Sequence, residues 1–117
     1  MFPSVSGMKV YLALGSTDMR KSINGLSILV ADYLELDPLS GHLFAFCNRR
    51  RDIVKVLYWD RNGFCLWHKR LEKDRFIWPE SKTETLCTDI RELNWLLEGL
   101  SLCEVKGHER LNYASVI

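Results

Sequence analysis

No stretch of this chain stays apolar for the roughly 20 residues that cross a bilayer, so no membrane contact is expected. The opening MFPSVSGMKVYLALG lacks a basic lead and a long apolar core. It does not read as a secretory signal, and a cytoplasmic protein is expected. The four cysteines (Cys47, Cys65, Cys87, Cys103) form no C-x-x-C, and His42, His68 and His108 are scattered. That pattern argues against a zinc centre or a disulfide framework, and most of these cysteines lie in apolar runs as small hydrophobes. A Gly-rich phosphate loop, a dinucleotide fingerprint and the spacings of Ser–His–Asp or Cys–His catalysis are all missing. No cofactor is implied. With only three prolines in 117 residues, and no repeats or low-complexity tracts, the chain suits one domain spanning residues 1–117.

What is present centres on residues 42–78, HLFAFCNRRRDIVKVLYWDRNGFCLWHKRLEKDRFIW. Four short runs rich in Val, Ile, Phe, Tyr and Trp are divided by three compact polar breaks, the pattern of an antiparallel meander. Asn62-Gly63 gives the strongest local hairpin signal. This stretch holds nine Lys or Arg against four acids, an excess of +5. Because the whole chain carries a formal net charge of +1, the remainder stands at −4. A near-neutral protein thus contains a basic sheet within an acidic frame.

Ahead of the meander, Lys9 to Leu14 predicts a first strand, closed by Gly15-Ser16-Thr17-Asp18. Leu26, Leu29, Val30, Tyr33 and Leu34 then fall at i, i+3, i+4, i+7 and i+8. This is the stripe of an amphipathic helix, with Ser22 or Asn24 as N-cap and Asp37-Pro38 as its stop. After the meander, Thr85-Leu86-Cys87 predicts a short edge strand. A second helix follows, capped by Thr88 or Asp89, with Ile90, Leu93, Leu96 and Leu97 on one face and Gly99 at its end. Leu100 to Val105 predicts a further strand. Alternation places Ile53, Lys55, Leu57 and Trp59 with Phe64, Leu66, His68 and Arg70 on one face of the central hairpin. Val54, Val56 and Tyr58 share the other with Cys65, Trp67, Lys69 and Leu71, the better core face. The expected fold is α+β: an antiparallel β-meander sheet with two helices packed on that one face. A loop at Asn62-Gly63 would set Lys55 opposite Arg70, a like-charge pair that suits a bound phosphate.

The functional candidates are cationic. Arg49, Arg50 and Arg51 crowd one hairpin tip, where guanidinium groups can pair bidentately with phosphates or base edges. Read alone, the tip is an ordinary solvated turn. Backed by the basic sheet and its aromatics Tyr58, Trp59, Phe64 and Trp67, it points to nucleic acid. Arg20 and Lys21, just before the first helix, suit a phosphate held with that helix's free N–H groups. Lys55, Lys69, Arg70 and Arg75 complete the candidate set. Two other classes compete. An interaction module would dock a protein partner or a second copy through Trp59, Phe64 and Leu66. A magnesium nuclease would use Glu104-Val105-Lys106 with an upstream Asp on a neighbouring strand, but Asp60 and Asp74 fall in turns and Asp89 begins a helix. Nothing in the residues demands catalysis, and a non-enzymatic protein is expected.

The order of motifs carries more than the motifs singly. Tyr11-Leu12-Ala13-Leu14-Gly15 precedes Thr17-Asp18-Met19-Arg20-Lys21, then Gly25-Leu26 and Val30. Asp37-Pro38-x-Ser40-Gly41-His42-Leu43-Phe44 and Asn48-Arg49-Arg50-Arg51-Asp52 follow, then Lys55-x-Leu57-Tyr58-Trp59-Asp60-x-x-Gly63-Phe64. Lys69-Arg70-Leu71-Glu72, Phe76-x-Trp78-Pro79 and Trp95-Leu96-Leu97-Glu98-Gly99 close the series. From about Gly7 to Gly99 the chain resembles the TnpB-type accessory protein, the second open-reading-frame product, of insertion-sequence-66 transposable elements. Those proteins are unrelated to the RNA-guided nucleases that share the name. The resemblance implies an accessory role in DNA transposition beside a separate transposase that does the cutting and joining. DNA and that transposase are then the expected partners, with a homo-oligomer as a further possibility, and no catalytic residues carry over. Ser22, where glycine is usual, and Cys47, in place of a larger residue, are the visible departures.

Overall fold

The computed structural model describes residues 7–99. Among these residues five strands form one sheet: β1 (Val10–Ser16), β2 (Leu43–Cys47), β3 (Ile53–Asp60), β4 (Gly63–Arg70) and β5 (Thr85–Thr88). Their spatial order is β4-β3-β2-β1-β5. Helix α1 (Ile23–Ile28), continued by a π-helical turn at Leu29–Tyr33, joins β1 to β2, and α2 (Ile90–Leu97) follows β5. The class is α+β, as expected. β2, β3 and β4 are the antiparallel meander. β1 extends it by lying parallel to β2, which requires the long crossover that α1 supplies. β5 runs antiparallel along the far side of β1, the edge position anticipated for Thr85 to Cys87.

The β3–β4 hairpin closes through Arg61-Asn62, with Asp60 opposite Gly63. Lys55 therefore faces His68 and Ile53 faces Arg70, so the like-charge pair of the alternative loop does not form. The left-handed residue is Arg61, at φ 51, and Gly63 already belongs to the strand. The fourth apolar run is not a strand. It straps one face of the sheet, burying Phe76 and Trp78 while Ile77 points outward. The strap is pinned by Phe76 N–H to the Arg51 carbonyl (2.7 Å) and by Trp78 Nε1–H to the Ala13 carbonyl (2.9 Å).

The two helices take opposite faces, which departs from the single covered face expected. Ile90, Leu93, Leu96 and Leu97 of α2 pack on Val10, Leu12, Leu43, Ala45, Val54 and Val56. Leu26 of α1 and Val30 of the π turn pack on Ala13, Phe44, Phe46 and Leu57, with Phe64 and Leu66 alongside. The reason lies in the middle strands. All five residues of β2 are buried, and a strand apolar on both sides needs cover on both. Capping follows expectation in α2, where the Asp89 side chain accepts from the Glu92 N–H (2.8 Å) and Gly99 stands at φ 88. Ser22 is the α1 N-cap residue, although its side chain makes no capping bond. The widened turn after Ile28, with Leu34 N–H to the Leu29 carbonyl (3.0 Å), rotates Tyr33 out of the predicted stripe to 61% exposure. The strand expected at Leu100 to Val105 lies outside the described residues.

Candidate nucleic-acid interface

β1, β2 and β4 finish, and β3 begins, at one end of the sheet. The loops leaving that end carry most of the candidate cations. Asn48 shapes the β2–β3 turn: its Oδ1 accepts from the Asp52 and Ile53 N–H groups (3.0 Å each), and its Nδ2 donates to Asp52 (2.6 Å). Arg49 and Arg50 stand exposed at the tip. Arg75 is drawn to the same place by a hydrogen bond from its Nε to the Arg50 carbonyl (2.7 Å). Arg70, at the end of β4, is exposed and paired with Glu72 (3.0 Å). Arg20 and Lys21, in the loop leaving β1, are exposed as well. Segments far apart in the chain thus bring Arg20, Lys21, Arg49, Arg50, Arg70 and Arg75 to one end.

Three candidates behave differently. Lys55 rises from the α1 face and its Nζ donates to the carbonyls of Met19 (2.8 Å) and Lys21 (3.1 Å). It ties the β1 exit loop to the sheet and so positions Arg20 and Lys21. Lys69 points to the other face and donates to the Leu97 carbonyl at the end of α2 (2.9 Å), a favourable place for a cation. Arg51, at φ 63, turns inward, away from its two neighbours.

Acids at this end hold some of the charge in check. Asp18 grips Arg20 through Nε and Nη2 at 2.7–3.1 Å, and that guanidinium holds the Asp18 carboxyl at about 2. Asp52 is held low by its Asn48 hydrogen bond. Exposed pairs such as Arg20–Asp18 and Arg70–Glu72 bind weakly, so both cations can exchange partners. With a six-residue α1, the helix-end phosphate site expected at Arg20-Lys21 has little dipole behind it.

The rival constellations are not assembled in the same way. Phe64 and Leu66 pack under α1, and Trp59 meets Phe64 edge to face at 5.1 Å, so this surface is largely covered. Asp60 lies at the far end of β3 from the strap that carries Asp74, and Asp89 caps α2. Glu104 lies outside the described residues. Among the described residues no three His, Cys, Asp or Glu side chains come together as metal ligands. No helix among them is long and apolar enough to cross a membrane.

One feature was not anticipated from the sequence. A cleft of about 680 Å³ opens where β1 ends, bounded by Ser16 and Thr17, the π turn, Arg51 and residues 80–84. Residues 80–84 read as a plain polar connection, and no local pattern distinguishes Arg51 from Arg49 or Arg50.

The IS66 Orf2-like protein family model matches residues 8–107. The uncharacterized protein y4hO of Sinorhizobium fredii is 38% identical over 100 residues, covering 86% of this chain and 87% of its own length. A second uncharacterized protein of that organism, y4jC, is 36% identical over 100 residues, covering 86% of each chain. No solved structure matches. The match spans the same motifs whose order resembled the insertion-sequence-66 proteins, and it places the chain in the IS66 Orf2-like family of transposition-associated accessory proteins.

Proposed function

We propose that this protein is a non-catalytic factor that grips element DNA through the basic end of its sheet, beside a separate transposase in the cytoplasm. Arg49 and Arg50 reach phosphates first, flanked by Arg70 and Arg75 on one side and by Arg20 and Lys21 on the other. Lys55 acts through position, by holding the loop that carries Arg20 and Lys21. The observation that carries this reading is the convergence of cations from the β1 exit loop, the β2–β3 turn, the end of β4 and the strap. A duplex presents a phosphate charge about every 1.7 Å of axis, which suits a spread of exposed cations better than a single pocket does.

The test is a salt-dependent titration with transposon-end DNA. Replacing Arg49 and Arg50 together with Ala should weaken binding and lower the slope of log K against log salt by about 0.9 for each phosphate no longer neutralised. Affinity and slope both unchanged would remove the tip from the DNA site. Affinity that appears only when the transposase is added would replace direct DNA contact by docking to that partner.

A further inference from the structure

The two edges of the sheet are unequal. β5 closes one side with four residues, whereas β4 closes the other with eight and faces β3 at every position without a bulge. The Leu71 N–H donates to the Asp52 carbonyl (2.8 Å), which marks Asp52 and Leu71 as a hydrogen-bonded pair. Alternation up the ladder then turns the backbone groups of Lys69, Trp67 and Cys65 toward β3. Those of Phe64, Leu66, His68 and Arg70 point outward, and no strand among the described residues meets them. Little guards this edge. It holds no proline, Lys69 is drawn onto the end of α2, and Arg70 is paired with Glu72. Phe64, Cys65, Leu66 and Trp67 make it apolar on both faces, yet all four stay only half-buried. A long, regular edge of this kind is a template for another strand.

The strand is a good complement to itself. In an antiparallel pair, facing residues share one side of the sheet, so a two-fold axis between copies must pass through a residue. An axis at Trp67 sets Phe64 against the partner's Arg70, Leu66 against the partner's His68 and Cys65 against the partner's Lys69. All four outward N–H groups and all four outward carbonyls of each copy are then used, eight bonds in all. An axis at Leu66 or His68 makes only six. The Trp67 axis also separates like charges. At about 3.4 Å per residue, the two Lys69 side chains stand about 14 Å apart along the strands and the two Arg70 about 20 Å. Both exceed the screening length of about 10 Å at 0.1 M salt. Trp67 itself falls at a non-hydrogen-bonded position, where backbones approach to about 4.5 Å and an aromatic pair stabilises the ladder.

We infer that two copies of this chain dimerise by joining their β4 edges antiparallel about Trp67, giving one continuous ten-stranded sheet. The two-fold axis directs the basic ends of the copies in opposite directions.

The test uses the full 117-residue chain without DNA, so it succeeds or fails independently of the DNA reading. Sedimentation equilibrium should show exchange between monomer and dimer. His68→Pro removes an outward N–H at an exposed position and leaves the β3 ladder whole. It deletes two of the eight bonds and should weaken the dimer at least about tenfold. Should circular dichroism show that this variant does not fold, cross-linking decides the register. Lys69→Cys sets a new thiol opposite the partner's Cys65 at a Cα separation of about 4.5 Å, within disulfide reach. Mild oxidation should then give a covalent dimer that disappears when Cys65→Ser is added. A protein that is monomeric at every concentration, a dimer indifferent to folded His68→Pro, or cross-linking that survives Cys65→Ser would each overturn the proposal. Open-ended growth would overturn it too, by marking β4 paired with the β5 edge. A monomer whose Leu66 and His68 amides resist exchange would assign the edge to the chain's own residues 100–105 and overturn the dimer.

Discussion

The two faces of the sheet solve the same problem with different resources. Under α2, fourteen buried residues form one continuous cluster, and the Phe76–Trp78 strap seals its margin. Under α1 only six are buried, and the short helix widens into a π turn before it ends. Lys55 and Arg70 emerge on that thinner side. Stability is concentrated on one face, which leaves the other free to present charge and to carry the cleft wall at Leu29, Tyr33 and Leu34.

Core truncation should expose the contrast most clearly. Leu93→Ala, fully enclosed beneath the sheet, is expected to lower unfolding free energy by about 4 kcal/mol, near the upper part of the range for such deletions. Leu26→Ala is just as buried, but its short helix can settle into the space, and a loss of about 2.5 kcal/mol is expected. Urea denaturation of both variants measures the difference, and equal losses would break the comparison. Asp89→Ala removes the side-chain cap of the helix on the stronger face and should cost about 1 kcal/mol in the same assay. A Ser22→Ala change, where the side chain makes no capping bond, should cost far less.

The smallest effect concerns pH. The Asp18 carboxyl is held at about 2 by Arg20, below its ordinary 3.8. Its contribution to the folded state is therefore fully present above the ordinary value and is lost as pH falls through about 2. Carboxyl carbon shifts followed by NMR should show this low titration, and Arg20→Ala should raise it only part of the way to the usual range, because the backbone N–H of residue 20 still donates to Asp18. Because the pair is fully exposed, little change in the melting temperature at neutral pH should accompany the substitution.

Local signals were readable where local chemistry decides. Asp89, the Ile90, Leu93, Leu96 and Leu97 spacing and Gly99 specify α2 without help from the rest of the chain. Alternation in β3 and β4 fixes which side chains share a face, whichever loop closes the hairpin. Pairing over distance was less legible. A strand such as Val10–Ser16 carries no mark of whether its neighbour will run parallel. The hairpin loop fell on Arg61-Asn62 although Asn62-Gly63 is the better turn dipeptide, because register answers to the whole ladder of eight facing pairs. The side chain of Arg51 was the least legible of all. Its direction depends on a left-handed backbone set by Asn48 from one side and Phe76 from the other. Lys69 and Arg70, adjacent in sequence, part to opposite faces by the pleat alone.

The position of β1 also governs the order in which the molecule can assemble. It is the earliest strand among the described residues, yet Val10 finds Leu43 on one flank and Thr88 on the other. During translation the meander has its neighbours close at hand and can condense early, whereas the outer flank of β1 must wait for almost the entire described chain. Distant pairing of this kind slows folding and prolongs the exposure of a bare backbone edge. A nascent chain halted before Thr85 would offer that edge to any extended segment nearby.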